Sequence, residues 1–326
     1  MKIMKNEILL KKMMAYYNNE NLQLPSGIEF IQKNDACYRM ILSAKKVQEK
    51  NMQVVDNAFE GWAIAVYIAM EKNVKIILDV SGEFDYDGYE KEGHLGRFLY
   101  RALKFNEQYD WFDLSDYLIQ ETAKFNLFLN DSLLTNNIAN GKAGTKDDHN
   151  KENVVEAKLA ESGELKKLIG NDINIGNNNV YRQLPVGLFK DKVSKATMIF
   201  TGGKSAIDLW TWNEEDFYVV ELKTLNPMIG IVSEVFFYSN YMRDLLLENG
   251  MFELNKNTKK KVKDDRGYSD ILDIYQGLKC IKGVMLADGY HPLVNQEVIK
   301  VLNAGKFSEI EYSMQSYKYE LKIAKA

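Results

Sequence analysis

The stretch Ser205–Lys223, SAIDLWTWNEEDFYVVELK, contains the pattern that decides the fold of the second half of this chain. Two mainly apolar runs are joined by the polar, turn-prone residues Asn213–Asp216, which predicts a β-hairpin. Charge interrupts each run, with Asp208 in the first and Glu221 and Lys223 in the second. Charges inside apolar strands cost free energy unless they are paired, hydrated or put to use. These three residues therefore need an explanation.

Side chains alternate across a β-strand, so Glu221 and Lys223 share one face. Antiparallel pairing of the two runs would place Asp208 beside Glu221. Adjacent carboxylates repel each other but are tolerated when a divalent cation lies between them, and their hard oxygen ligands suit Mg²⁺, with Mn²⁺ as the alternative. Lys223 would then orient or deprotonate a water molecule, or neutralise charge on a phosphate. The competing interpretation is an exposed edge hairpin whose charged face is simply solvated.

The combination of Ile207-Asp208-Leu209 with Val219-Val220-Glu221-Leu222-Lys223 resembles the PD-(D/E)XK nuclease superfamily. The resemblance covers about Glu152 to Ala326, and the order of predicted elements also fits. The leading proline of the motif is absent, as it often is in that superfamily, since Ala206-Ile207 precede the aspartate. The resemblance implies an α/β (α+β) fold with a restriction-endonuclease-like mixed central sheet flanked by helices. We expect a separate α+β N-terminal domain before it.

Residue roles follow from the resemblance position by position. In the superfamily, the aspartate and glutamate bind Mg²⁺ together with a main-chain carbonyl between the glutamate and the lysine. The implied metal ligands are Asp208, Glu221 and the carbonyl of Leu222. Lys223 would position the attacking water.

Members of the superfamily often add a glutamate from the helix before the sheet. We expect Glu156 to be this further catalytic carboxylate, because the run from Glu156 to Leu159 resembles the usual E-x-x-L spacing. The competing residues on the same predicted helical segment are Glu152, Glu161 and Glu164. A solvated helix face explains any of the four equally well.

Many relatives also carry a Gln-x-x-x-Tyr pair on the helix after the lysine strand. The corresponding residues here are Glu234 and Tyr238, whose i, i+4 spacing places them on one helical face. A glutamate replaces the glutamine, so this auxiliary pair either adds a carboxylate near the metal or is not the equivalent. Helix packing is the alternative role of the tyrosine.

Basic residues in two segments are candidates for contact with a phosphate backbone. The first segment is a predicted loop containing Lys259, Lys260, Lys261 and Lys263, for which a solvated loop is the alternative. In the second, His94, Arg97 and Arg101 share one face of a predicted helix. That face is either solvated or in contact with phosphate.

Length and composition bound the remaining possibilities. The 326 residues predict about two domains, and the polar, glycine-containing stretch 136–153 is the expected break between an α+β domain over residues 1–140 and a nuclease-like domain over 150–326. The net charge of −4 gives no overall attraction to nucleic acid or anionic membrane. Cys37 and Cys280 suggest neither a disulfide framework nor a zinc site. The apolar runs are too short for a transmembrane helix, and we expect a soluble, cytoplasmic protein without a membrane partner.

The resemblance to the PD-(D/E)XK superfamily implies a Mg²⁺-dependent nuclease that hydrolyses phosphodiester bonds. We expect a DNA endonuclease of a defence, mobile-element or repair type, with DNA favoured over RNA as the partner. The N-terminal domain would serve recognition or dimerisation, with a homodimer as one arrangement. The alternative is a non-catalytic nucleic-acid-binding or assembly protein that retains the nuclease fold.

Overall fold

The computed structural model describes residues 3–86, 93–141, 143, 151–169, 179–200, 205–257 and 264–318 of the chain. These residues form a mixed α+β protein with several β-sheets, which agrees with the predicted fold class at this level. Lys259, Lys260, Lys261 and Lys263 lie outside the described residues, so their predicted contact with nucleic acid stays a prediction.

The first sheet is built from the N-terminal part of the chain and has the strand order β1-β2-β3-β4. β1 is antiparallel to β2, while β2, β3 and β4 run parallel to one another. Serine side chains cap two of the helices, because Ser43 and Ser115 accept hydrogen bonds from backbone N–H groups of the first turn. The elements in chain order are α1 (Ile3–Tyr17), β1 (Ile28–Asn34), β2 (Cys37–Ser43), α2 (Ala44–Glu49), α3 (Phe59–Ala69), β3 (Lys75–Ser81), α4 (His94–Gln108), β4 (Phe112–Leu114) and α5 (Asp116–Asn130).

A small antiparallel sheet joins segments from both sides of the predicted break. Its strand order is β5-β7-β8, with β5 at Leu134–Asn136, β7 at Leu188–Lys190 and β8 at Met198–Phe200. A short 3-10 turn at Lys195–Thr197 leads into β8.

The second large sheet contains the charged hairpin and has the strand order β12-β11-β10-β9-β6. β6, β9 and β10 are antiparallel neighbours, whereas β10, β11 and β12 are parallel and are connected through helices. The elements are α6 (Lys151–Ser162), α7 (Glu164–Leu168), β6 (Tyr181–Pro185), β9 (Ala206–Trp212), β10 (Asp216–Lys223), α8 (Gly230–Leu246), α9 (Tyr268–Ile274), a 3-10 turn (Tyr275–Gly277), β11 (Cys280–Ala287), α10 (Gln296–Leu302) and β12 (Ile310–Ser316). Gly163 separates α6 from α7 with φ at +69°, a conformation that favours glycine.

The hydrophobic core has two parts, one on each face of the second sheet. The larger part contains residues from both sequence segments, from Leu9 to Tyr312. There α3 and α4 contact α8, and α3 also contacts α10. The smaller part lies between the second sheet and α6–α7. Helix α8 is apolar on almost all sides and buried along nearly its whole length, as expected for a central helix.

Candidate metal and active site

The β9–β10 hairpin places Asp208 next to Glu221, as its sequence predicted. Val220 pairs with Leu209 at the end of the antiparallel register, and Glu221 and Asp208 are the next residues of β10 and β9 beyond this pair. The backbone N–H of Asp208 donates to Glu221 Oε1 at 3.4 Å. The N–H of Leu222 donates to Asp208 Oδ2 at 2.8 Å. The two acids are therefore fixed to each other's backbone.

Alternation along β10 separates apolar from charged side chains at its C-terminal end. Val220 and Leu222 pack in the core part next to α6 and α7. Val219 belongs to the other core part, which contains α8. Glu221 and Lys223 alternate with the first pair and therefore face α8. Both are almost fully buried, with Glu221 1% and Lys223 5% exposed, so this charged face is not the solvated edge that was the competing interpretation.

The ammonium group of Lys223 is surrounded by oxygen atoms. Its Nζ lies 3.0 Å from Glu234 Oε2 on α8 and 4.0 Å from Glu152 Oε1 on α6. It also donates to the carbonyl of its neighbour Leu222 at 3.0 Å. Burial alone would lower the pKa of Lys223, but Glu234, Asp208, Glu152 and Glu221 together raise it well above its ordinary value. The lysine is thus a fixed positive charge.

Negative charge exceeds positive charge around this lysine. Burial raises the pKa of Glu221 well above its ordinary value, and repulsion from Asp208 and Glu234 adds to the effect. Burial also raises the pKa of Asp208 and of Glu234, although Lys223 opposes the shift in both. Raised pKa values in several neighbouring carboxyls indicate a site that binds protons or a cation favourably.

A divalent cation fits the chemistry of this donor set. Mg²⁺ usually takes one or two protein carboxylates and keeps several waters, and Asp208 and Glu221 supply such a pair of hard ligands. Within the described ranges, no cluster of three or more His, Cys, Asp or Glu side chains has the geometry of a metal site. The carbonyl of Leu222, the third ligand that the resemblance implies, accepts the hydrogen bond from Lys223.

Helix α6 brings two glutamates to the site, one turn apart. Glu156 is buried, and its carboxylate accepts from Arg182 Nε at 3.0 Å and from Gln183 Nε2 at 3.3 Å. Burial and the charge of Asp208 raise its pKa to about 7, against the opposing effect of Arg182. Glu152 instead approaches Lys223. The charge of Asp208 thus acts on the predicted residue Glu156, but the Glu156 carboxylate accepts hydrogen bonds from Arg182 and Gln183 in β6. Its competitor Glu152 instead lies near the ammonium of Lys223.

The other two competitors on this segment lie away from the lysine. Glu161 is exposed, and Glu164 pairs with Lys158 at 3.5 Å.

The auxiliary pair on α8 lies at the site. Glu234 forms the ion pair with Lys223, and Tyr238, one turn later, is buried. Burial raises the pKa of Tyr238 well above its ordinary value, and the charges of Glu221 and Glu234 raise it further. Glu234, which stands where many members of the superfamily have glutamine, thus adds a carboxylate to the site.

The burial of two arginines on α4 contradicts the interpretation that they lie on a solvated helix face. Arg97 and Arg101 are each only 2% exposed, so they do not form a solvated face. Arg101 donates through Nε to Glu60 Oε1 at 2.7 Å, while Arg97 contacts Ser205 just before β9. The signal that could have revealed this is the lone acid, Glu60, in the otherwise apolar helix α3. A buried glutamate that stays charged needs a cation or hydrogen-bond donors beside it.

Comparison of the chain with protein-family models, with curated proteins and with solved structures finds no match. The helices of the described residues include none whose length and apolar character would let it cross a membrane.

Proposed function

We propose that this protein is a divalent-metal-dependent nuclease with a restriction-endonuclease-like core, acting on DNA in preference to RNA. One observation carries the proposal: Asp208 and Glu221 meet on adjacent antiparallel strands, with Lys223 on the same face two residues later. The element order around them supports it as well. A helix is followed by antiparallel strands, then by a helix and a parallel strand, which makes a mixed sheet flanked by helices.

Asp208 and Glu221 are the residues that would hold Mg²⁺ or Mn²⁺. Bound there, such an ion would supply Lewis-acid stabilisation of the phosphoryl oxygens. Lys223 contributes a fixed ammonium that orients a water molecule and opposes the charge that develops on the phosphate. Glu234 and the carbonyl of Leu222 hold that ammonium in place. Burial of the charged groups strengthens each of these electrostatic interactions relative to bulk water.

The test is cleavage of a supercoiled plasmid with Mg²⁺, with Mn²⁺ and with EDTA. The wild type should cleave with either metal and not with EDTA. Lys223→Ala and Asp208→Asn should each lose about 100-fold or more in rate. Lys306→Gln, which removes an exposed charge paired with Asp110, is the control and should retain full activity.

Two results would overturn the proposal. Cleavage that survives Lys223→Ala unchanged would place the active site elsewhere. Metal binding at Asp208 and Glu221 without cleavage of DNA or RNA would favour the alternative of a non-catalytic binding or assembly protein.

A further inference from the structure

A cavity of about 480 Å³ lies between the helices α4 and α5 and the strands β7 and β8. Its volume falls in the range of small-ligand sites, about 300 to 1,000 Å³. Its walls are mainly apolar with a few polar side chains, as in most such sites. Among the described residues, those that line it are all different from those of the candidate metal site. The molecule therefore has room for a ligand at a second place.

The acid of this cavity is Glu121 on α5, whose side chain is only 6% exposed. Its Oε1 accepts from Lys124 Nζ at 2.8 Å, whereas its Oε2 has no hydrogen-bond partner within the described part of the chain. Native proteins rarely leave a buried polar atom unsatisfied, because the group then bears its full desolvation cost. An ionised carboxylate only accepts hydrogen bonds, so the missing partner is an N–H or O–H donor.

A ligand reaches this carboxylate past the lysine that is paired with it. Lys124 is 71% exposed, and its flexible side chain can turn aside into solvent at little cost, because exposed ion pairs of this kind contribute little to stability. The carboxylate then faces a donor placed in the cavity.

Three aromatic side chains line the same cavity. Phe125 is buried, whereas Phe128 and Tyr86 are 36% and 50% exposed. The rings of Phe125 and Phe128 are stacked, with their centroids 6.5 Å apart. Partly exposed aromatic faces beside a cavity favour a flat ring as the ligand, because such rings stack on one another.

Positive charge lies at the exposed rim of the cavity. Lys124 and Lys190 both line it, and both side chains are exposed. Lys190 Nζ lies 5.7 Å from the ring centroid of Phe128, so an anionic group attached to a ring on Phe128 would meet this ammonium. A buried acceptor, aromatic faces and exposed ammonium groups together match the base and the phosphate of a nucleotide.

We propose that this cavity binds a free nucleotide whose base carries an amino group, with the amino group donating to Glu121 and the phosphate lying at Lys190 and Lys124. Guanine suits the carboxylate best, because its ring N–H and its amino group are adjacent donors. Uracil suits it least, since its single ring N–H is flanked by two carbonyl oxygens that a carboxylate repels. Such binding needs no metal ion and is independent of the proposed nuclease function.

The test is isothermal titration calorimetry of the full chain with the monophosphates of guanosine, adenosine, cytidine and uridine, in EDTA to keep the candidate metal site empty. Guanosine monophosphate should bind about tenfold or more tightly than uridine monophosphate, the size of one hydrogen bond to a charged group. Glu121→Gln should abolish that preference. Phe128→Ala should weaken binding of all four by about tenfold. Lys190→Gln should weaken binding of guanosine monophosphate but not of guanosine.

The control is Ile119→Ala, which shortens a 51% exposed apolar side chain of α5 outside the cavity and should bind as the wild type does. Phe128 is partly exposed, so its truncation should leave the unfolding midpoint nearly unchanged and separate lost binding from lost folding. Equal affinities for the four nucleotides, or an unchanged affinity of Glu121→Gln for guanosine monophosphate, would overturn the proposal. So would a folded wild type that binds none of them at millimolar concentration.

A trinucleotide with guanine at its centre distinguishes a free nucleotide from a base within a strand. Weaker binding of the trinucleotide than of guanosine monophosphate would support the free nucleotide. Tighter binding that depends on Glu121 would overturn it in favour of a strand.

Discussion

The ammonium of Lys223, on the last residue of β10, lies 3.0 Å from the carboxylate of Glu234 in the first turns of α8. This ion pair joins β10 to the central helix α8. It is buried on both sides, with the lysine 5% and the glutamate 6% exposed. The pair still leaves the surrounding carboxylates in excess, and the consequences for metal binding and stability can be measured.

Divalent cations should stabilise the folded protein. At about 100 times its dissociation constant, Mg²⁺ would add roughly 2.7 kcal/mol to the free energy of unfolding, and EDTA should remove this gain. Asp208→Asn and Glu221→Gln should abolish the metal-dependent shift in unfolding midpoint, measured by thermal denaturation. Glu161→Gln, at an exposed position of α6, is the control and should keep the shift. An equal shift in all four proteins would place the metal elsewhere.

The stability contributed by Glu156 should depend on pH. Its pKa is raised from 4.5 to about 7 in the folded protein, so the folded state favours the neutral carboxyl. This contribution is fully present below the unfolded value of 4.5 and is lost as the pH rises through about 7. The free energy of unfolding of Glu156→Gln, minus that of the wild type, should therefore rise between pH 5 and pH 8 by on the order of 1 to 3 kcal/mol.

Urea unfolding at several pH values measures this difference, with Glu161→Gln as the matched variant on the same helix. A difference that is flat, or that falls with rising pH, would show that Arg182 holds Glu156 in its charged form.

Gly96→Ala should destabilise the protein through its contact with β8. The added Cβ would meet the carbonyl oxygen of Ile199 at 2.7 Å, and overpacking of this kind costs about 1 to 3 kcal/mol. Gly289→Ala is the control, because no heavy atom lies within 4 Å of its added Cβ. Urea midpoints that are equal for the two variants would mean that α4 can shift away from β8 at little cost.

The buried pair of Glu60 and Arg101 should behave non-additively. Arg101→Met leaves a buried carboxylate without its cation and should cost about 3 to 5 kcal/mol, whereas the double substitution Glu60→Leu with Arg101→Met should recover much of that loss. A double-mutant cycle by urea unfolding gives the coupling. Additive costs would indicate that water or Ser233, whose Oγ donates to Glu60 at 2.7 Å, compensates each charge separately.

Much of the hairpin could be predicted from sequence because a strand has a period of two residues. The alternation in VVELK fixed the face shared by Glu221 and Lys223, and the polar turn fixed their pairing with the strand of Asp208. The break after α6 coincides with Gly163, whose positive φ favours glycine. Both features depend on residues that are close together in the sequence, so they could be predicted without knowledge of the tertiary structure.

The choice among the glutamates of α6 could not be predicted in the same way. Glu152 and Glu156 are one helical turn apart and share a face, so the helical pattern does not distinguish them. Their different environments depend on Arg182 and Gln183 in β6, where Gln183 has φ at +53°. That arrangement depends on tertiary contacts, as does the burial of the α4 arginines.

An ion pair and a hydrogen bond between α4 and α8 limit where the chain can be cut into stable fragments. Asp244 on α8 is fully buried and is held by Lys104 at 2.9 Å and by the hydroxyl of Tyr100 at 2.7 Å, both from α4. A fragment that began after the polar stretch 136–153 would keep the acid and lose both partners. Limited proteolysis within that stretch should therefore yield two pieces that remain associated, rather than a released, independently stable C-terminal fragment.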